Sequence, residues 1–312
     1  MLSSTRLALS VFALAAGLAS THCQRDAQAP AAATAAGCCE VTPNAAVGAG
    51  MGRIVVSYPG GDGADSTRLD VFAAGDASKA LGSKYGEAAL ELEPGSYDAA
   101  VGGRRVAGVG VQAGHDTRIR VGVLHVHASD GTRIDLVDPA NGEKIAGAYG
   151  EKQFGLPVGS VAVEVTGQQE SALIEDGKVT ELKSLGRVVV AYPEEVAARI
   201  EVYGAGQERA LAAGYGNQRF DLFPGSYDVS VSGKRIAGVT VHSEQDTQIE
   251  VGVLRVNVSE GTRIDLVDPA SKERVAGGYG AQAFGLPAGE IGVEIAGQTE
   301  NVAIETGQVT EF

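Results

Sequence analysis

Alternating apolar and polar positions recur along most of this chain. "TRLDVF" from Thr67, "TRIDLV" from Thr132 and "ARIEVY" from Ala198 place aliphatic side chains on one face and Arg with Asp or Glu on the other. "SYDVSVSG", "VAVEVTG" and "IGVEIAG" alternate in the same way. A period of two is the pattern of a half-buried β-strand. Gly and Pro punctuate these runs at short intervals, and no helical stripe interrupts them. "DPANGEK" carries Asp-Pro and the pair Asn141-Gly142, the chemistry of a hairpin turn. Many short strands with frequent turns predict an all-β sandwich architecture.

The pattern is also copied. "GTRIDLVDPA" occurs at Gly131 and again at Gly261, and the 30 residues from Val121 match those from Val251 at 21 positions. "GRIVVSYP" and "GRVVVAYP" open the two halves at Gly52 and Gly186. Each half divides once more, because a Tyr-Gly step at Tyr85, Tyr149, Tyr215 and Tyr279 is followed at fixed offsets by an apolar residue, Leu and Gly. Four copies of about 65 residues are therefore expected, at 51–119, 120–184, 185–249 and 250–312. A module of that size buries little apolar area alone. "TRIRVGVLHVHAS" and "TQIEVGVLRVNVS" run from copy to copy without a turn signal, so neighbouring modules are expected to share a strand region and support each other. "LKSLGR", between copies two and three, offers Gly186 as a hinge.

These residues resemble the transthyretin-like β-sandwich modules of bacterial exported proteins, including the carboxypeptidase regulatory-like and PEGA-type repeats. The resemblance covers residues 51–312 and rests on the order of an Arg-aliphatic-acid strand, a hairpin, a Tyr-Gly step and a Leu-x-Pro-Gly-x-Tyr turn. That last turn is complete only in copies one and three, at "LEPGSY" and "LFPGSY"; copies two and four read "LPVGS" and "LPAGE". The resemblance implies a fold and no reaction.

The N-terminus differs in kind. "MLSSTR" followed by the apolar run Leu7–Ala19 reads as a signal peptide over 1–19, or to 22 if the chain is a lipoprotein. Cys23 resembles the acylated cysteine of a bacterial lipobox, although His22 departs from the small residue expected before it. Residues 20–50, rich in Ala, Pro and Gly, are expected to form a disordered tether. All three cysteines (Cys23, Cys38 and Cys39) then fall outside the modules.

Composition narrows the function. The net charge is −14 with no Lys/Arg cluster, which argues against nucleic acid and against a membrane partner other than through a lipid anchor. Trp is absent and aromatic residues are 5% of the chain, a poor endowment for carbohydrate platforms. No G-x-S-x-G, H-E-x-x-H, phosphate loop or dinucleotide fingerprint occurs, so no catalytic, cofactor or metal residue is assigned.

Four features nevertheless invite chemistry. His125 and His127 form H-x-H on a predicted strand and face one side, but copy four has Arg255 and Asn257 there and no third ligand is visible. "GGDGAD" at 60–65 matches a calcium-binding nonapeptide core without its tandem copies. Asp135, Asp138, Asn141 and Glu143, like Asp265 and Asp268, could hold calcium weakly or simply cap a hairpin. Arg68/Asp70, Arg133/Asp135, Arg199/Glu201 and Arg263/Asp265 read as exposed cross-strand ion pairs or as a recognition stripe. The resulting expectation is a non-enzymatic, exported structural or binding protein of the cell envelope, facing an envelope protein or a surface polymer. The alternative is a carbohydrate/polymer-binding or weakly calcium-binding surface protein.

Overall fold

A computed structural model describes residues 33–34, 37–60 and 64–312; the signal-peptide assignment and Cys23 lie outside the described residues. Alternation does produce strands. In Arg133–Val137, Ile134 and Leu136 are fully buried while Arg133 and Asp135 point outward, and Arg68–Ala73, Arg199–Gly204 and Arg263–Val267 repeat that arrangement. The protein is all-β and consists of tandem small sandwiches.

The second module shows the plan. Val121–Val126 is the centre of a three-stranded sheet, antiparallel to Lys152–Pro157 and parallel to Val179–Glu181. Packed on it is a four-stranded antiparallel sheet in the order Lys144–Tyr149, Arg133–Val137, Gly159–Val165, Gln168–Ile174. Gly186–Val190 and Val251–Val256 occupy the central place in the two later modules, and Gly52–Val56 does so in the first.

The duplicated halves join their modules in the same way. Only Arg120 separates His115–Ile119 from Val121–Val126, and only Glu250 separates Asp246–Ile249 from Val251–Val256. Val121 and Val123 belong to the core of the first module, whereas Leu124 and Val126 belong to that of the second. Val251 and Val253 against Leu254 and Val256 repeat the division. One strand thus feeds two interiors, which is how modules too small to be stable alone obtain apolar burial. The contact is close because Gly155 and Gly285 carry no side chain. A Cβ at Gly155 would lie 2.4 Å from the Tyr58 ring, and one at Gly285 would lie 2.7 Å from the Tyr192 ring.

Two expectations need correction. Gly186 is no hinge: it is buried, begins the strand Gly186–Val190 opposite Leu222, and a Cβ there would meet the His242 carbonyl oxygen at 2.0 Å. A Cβ at Gly52 would meet the Gln112 carbonyl oxygen at 2.2 Å in the same manner, so this glycine answers a need for close approach. The span 20–50 is not tether throughout. Cys39–Pro43 pairs antiparallel with His115–Ile119 along its whole length, and Ala33–Thr34 runs parallel to Val106–Ala107. Asn44 Nδ2 donates to Asp116 at 2.7 Å, and Cys38 is buried in the first module's core. An exposed sheet edge offers unpaired backbone donors and acceptors, and here five residues of low hydrophobicity cover it.

The turn chemistry follows the sequence with one refinement. In the hairpin after Arg133–Val137, Gly142 has φ 74° and Asn141 instead accepts from the Glu143 N–H at 2.8 Å. In the "PGSYD" turns, Tyr97 and Tyr227 donate back to the carbonyls of Glu93 and Phe223. Asp98 accepts from the amides of Gly75 and Gly108, and Asp228 from those of Gly206 and Gly238. These amide bonds hold the Asp228 carboxyl below the usual carboxylate range, against the opposing effect of burial. Modules two and four have Ala162 and Gly292 at this place, so the device belongs to the first module of each pair.

Candidate functional site

Three places gather chemistry. The first is the junction between the pairs. Asp221 is buried and accepts from Ser129 N at 2.6 Å, Ser129 Oγ at 2.9 Å and Thr132 Oγ1 at 2.7 Å, all in module two. Leu182, Leu185 and Phe223 complete the apolar side of this contact within module two's core. Gln168 adds a polar one, bonded to Tyr227 Oη. A shallow cleft remains beside it, lined by His127, Ser129, Leu185, Arg187, Asp221 and Glu244.

The second place is repeated. Arg68, Arg133, Arg199 and Arg263 pair with the acid two residues on, at 2.8, 3.0, 2.8 and 2.6 Å. The pairs therefore lie within one strand, whereas a cross-strand arrangement was expected; residues i and i+2 of a strand share a face. Across the ladder each Arg stands opposite the Tyr of a Tyr-Gly step: Tyr85, Tyr149, Tyr215 and Tyr279. These tyrosines are between 62% and 64% exposed, so all four modules display a tyrosine ring beside an Arg-acid pair. Arg133 lies 5.2 Å above the Tyr149 ring and donates to its hydroxyl at 2.8 Å. Composition hid this, because a low aromatic content says nothing of where the aromatic residues stand.

The third is a histidine cluster on the outer face of module two's three-stranded sheet. His125 is in register with Glu181 on the parallel neighbour, and Glu151 stands just before the antiparallel neighbour. His125 Nε2 lies 2.8 Å from Glu151 and its Nδ1 lies 3.1 Å from Glu181. His127 Nε2 lies 3.0 Å from Glu181 and its Nδ1 lies 3.3 Å from Glu151. The two rings are 3.9 Å apart. His125, His127 and Glu181 are the group among the described residues with metal-ligand geometry. Sequence reasoning found the histidines and missed both glutamates: Glu151 stands 26 positions from His125, and Glu181 stands 54 from His127. The signal was there in the repeat: "KVTEL" and "QVTEF" keep a glutamate, at Glu181 and Glu311, where the histidines are not kept.

The remaining candidates already have partners. Asp135 is engaged by Arg133 and, at 2.7 Å, by Lys144, and these cations hold its carboxyl below the usual range even though burial opposes them. Asp265 is flanked by Arg263 and Arg274. Asp138 and Asp268 accept from the amides of Ala140 and Ala270, both at 2.9 Å, as hairpin caps do. Of "GGDGAD", residues 61–63 lie outside the described residues.

No family profile matches the chain, and no curated protein does. Among solved structures it is similar to the Bacillus anthracis TIE protein, at 14% identity and a TM-score of 0.19, over 88% of this chain and 73% of that one. It is similar also to BcpA, the major pilin subunit of Bacillus cereus, at 9% identity and a TM-score of 0.19, over 62% of this chain and 97% of that one. A streptococcal ancillary pilin gives 11% identity and a TM-score of 0.18, over 65% and 98% of the two chains.

Proposed function

We propose that the chain is a non-enzymatic, exported repeat protein of the bacterial cell envelope, a structural or binding array of transthyretin-like modules related to the carboxypeptidase regulatory-like and PEGA-type repeats. In this reading the leader 1–19 is removed, or Cys23 is acylated and anchors the chain. The protein then resides in the periplasm or at the outer membrane and cell surface, and its partner is an envelope protein or a surface polymer. The observation that carries the proposal is fourfold display. Each module fills its interior with aliphatic side chains and repeats one exposed Arg-acid-Tyr trio outward, while the groups capable of chemistry differ from copy to copy. Repetition of a surface with variation of the reactive groups suits spacing and multivalent contact.

Fractionation of cells carrying a C-terminally tagged chain tests it. A processed N-terminus in the envelope or the medium is expected, and an unprocessed protein in the cytoplasm refutes the reading. Palmitate label entering the wild type and not Cys23→Ala selects the anchored form; equal label in both rejects it.

The exposed tyrosines favour a second reading, a carbohydrate or other polymer as the partner, since a Tyr ring offers an apolar face and Arg an adjacent charge. Co-sedimentation with purified wall and capsule polymers should weaken progressively as Tyr85, Tyr149, Tyr215 and Tyr279 are changed to Ser. Retention that is unchanged in the fourfold variant removes this reading.

A further inference from the structure

We propose that His125, His127 and Glu181 bind a divalent transition-metal ion, with solvent at the fourth position, and that the ion is zinc. His125 and Glu181 lie in register on paired strands, and His127 stands one residue beyond Val126, where its strand ends, so strand pairing sets their spacing. His125 Nδ1 and His127 Nε2 lie 3.1 and 3.0 Å from Glu181, while Glu151 faces the other nitrogen of each ring. A tetrahedral shell with bonds of about 2.0–2.1 Å places neighbouring donors roughly 3.3 Å apart, so small side-chain rotations would suffice. Two imidazoles with one carboxylate select zinc over calcium or magnesium, which take oxygen alone.

Module four supplies the internal comparison. There Arg255 bonds Glu194 Oε1 at 3.1 Å and Glu311 at 3.2 Å, and Asn257 donates to Glu311 at 3.0 Å. Glu311 is the counterpart of Glu181, so two carboxylates meet around the same spot on both sheets. In module four a guanidinium neutralises them from within the chain. A guanidinium has only N–H donors, whereas an imidazole nitrogen offers a lone pair. At this site Arg255 stands for His125, Asn257 for His127 and Ala281 for Glu151, while Glu194 corresponds to Gly60. Both ring exchanges put an imidazole lone pair where module four has N–H donors aimed at Glu311. The glutamate at the strand end is kept, the built-in cation is removed, and donors for an external one take its place.

The position gives the ion a task. Glu181 ends its strand and is followed directly by Leu182 and Leu185, which pack in the core that Phe223 enters from module three. Zinc held at Glu181 would therefore fix the chain where the two pairs join.

The test uses the full processed chain, titrated calorimetrically with zinc chloride, and cobalt(II) as a spectroscopic stand-in. One zinc equivalent and the intense visible bands of tetrahedral cobalt are expected. The double variant His125→Arg/His127→Asn should fold, because module four carries those residues beside the equivalent glutamate. Its affinity should fall by more than about 100-fold, beyond what loss of an outer-shell partner costs. Glu181→Gln should also lose the cobalt bands. The same zinc affinity in the wild type and the double variant would overturn the proposal, as would absence of binding to the wild type. A chelator should lower the wild type's melting temperature and leave the double variant's unmoved; an identical response in both would overturn it too.

Discussion

Asp221→Ala is the sharpest probe of the junction between the two pairs. Three donors from module two converge on this buried carboxylate, at 2.6, 2.7 and 2.9 Å. A hydrogen bond to a charged acceptor contributes about 1.5–3 kcal/mol net, so three would sum to roughly 4–9 kcal/mol if nothing offset them. Two effects do. Removing a buried charge recovers several kcal/mol of desolvation, and Ser129 and Thr132 are half-exposed, so their freed donors reach water. A net loss of about 2–4 kcal/mol is therefore expected. Amide exchange reads it locally: the Ser129 N–H should exchange roughly 30- to 900-fold faster, at a factor of ten per 1.36 kcal/mol. Amides of Gly52–Val56, in module one, should keep their protection. Combining the change with Thr132→Val should show coupling of about 0.5–3 kcal/mol, as residues of one network do. Exchange at Ser129 within threefold of wild type, or a loss spread evenly over all modules, would show that Asp221 does not pin this junction.

Gly155→Ala and Gly285→Ala should each destabilise by about 1–3 kcal/mol in urea melts, since each Cβ lands on a buried tyrosine ring. Gly110→Ala, with open space around it, should stay within about 0.5 kcal/mol; equal effects at all three sites would contradict the packing described. Burial, reinforced by Cys38, pushes the Cys39 thiol up to about 12. Its alkylation at pH 8 should therefore be slower by a factor on the order of 10³ than that of an ordinary cysteine, and labelling at the rate of the unfolded chain would count against the strand Cys39–Pro43. Hydrogen bonds from Arg53 and Asn44 hold the Asp116 carboxyl below the usual carboxylate range, with burial opposing them. The folded state thus gains stability above the ordinary carboxylate value of about 3.9 and loses it as pH falls through and below that range. Amides of Val41 and Thr42 should lose protection on acidification in the wild type and not in Asp116→Asn, and an identical acid response in the two would refute the assignment.

What could be read from the residues was what depends on neighbours in the chain. Ile134 and Leu136 alternate with Arg133 and Asp135, and the strand follows; the Tyr-Gly steps recur, and so do the modules. What escaped depends on partners far along the sequence. Gly186 looked like a hinge because a glycine between two modules suggests freedom, yet the carbonyl that excludes a side chain there belongs to His242, 56 positions on. Cys39–Pro43 carries no strand signal of its own and is ordered by the open edge it covers. The histidine cluster was half visible for the same reason: alternation put His125 and His127 on one face, while Glu181 and Glu151 reach them only through strand pairing. The Arg-acid pairs were found and their geometry misjudged, because spacing by two already satisfies the pair without a partner strand.

A strand that serves two interiors also limits how such a gene can be rearranged. Excising module one at Arg120 strips Val121 and Val123 from the interior they complete, and a break at Glu250 does the same to Val251 and Val253. At Gly186 the second half opens on a strand of its own. A recombination point there yields offspring whose first sandwich is whole, so the inheritable brick is the couplet rather than the single sandwich. A six-sandwich descendant should accordingly be obtainable by inserting a third couplet, and a five-sandwich one should not.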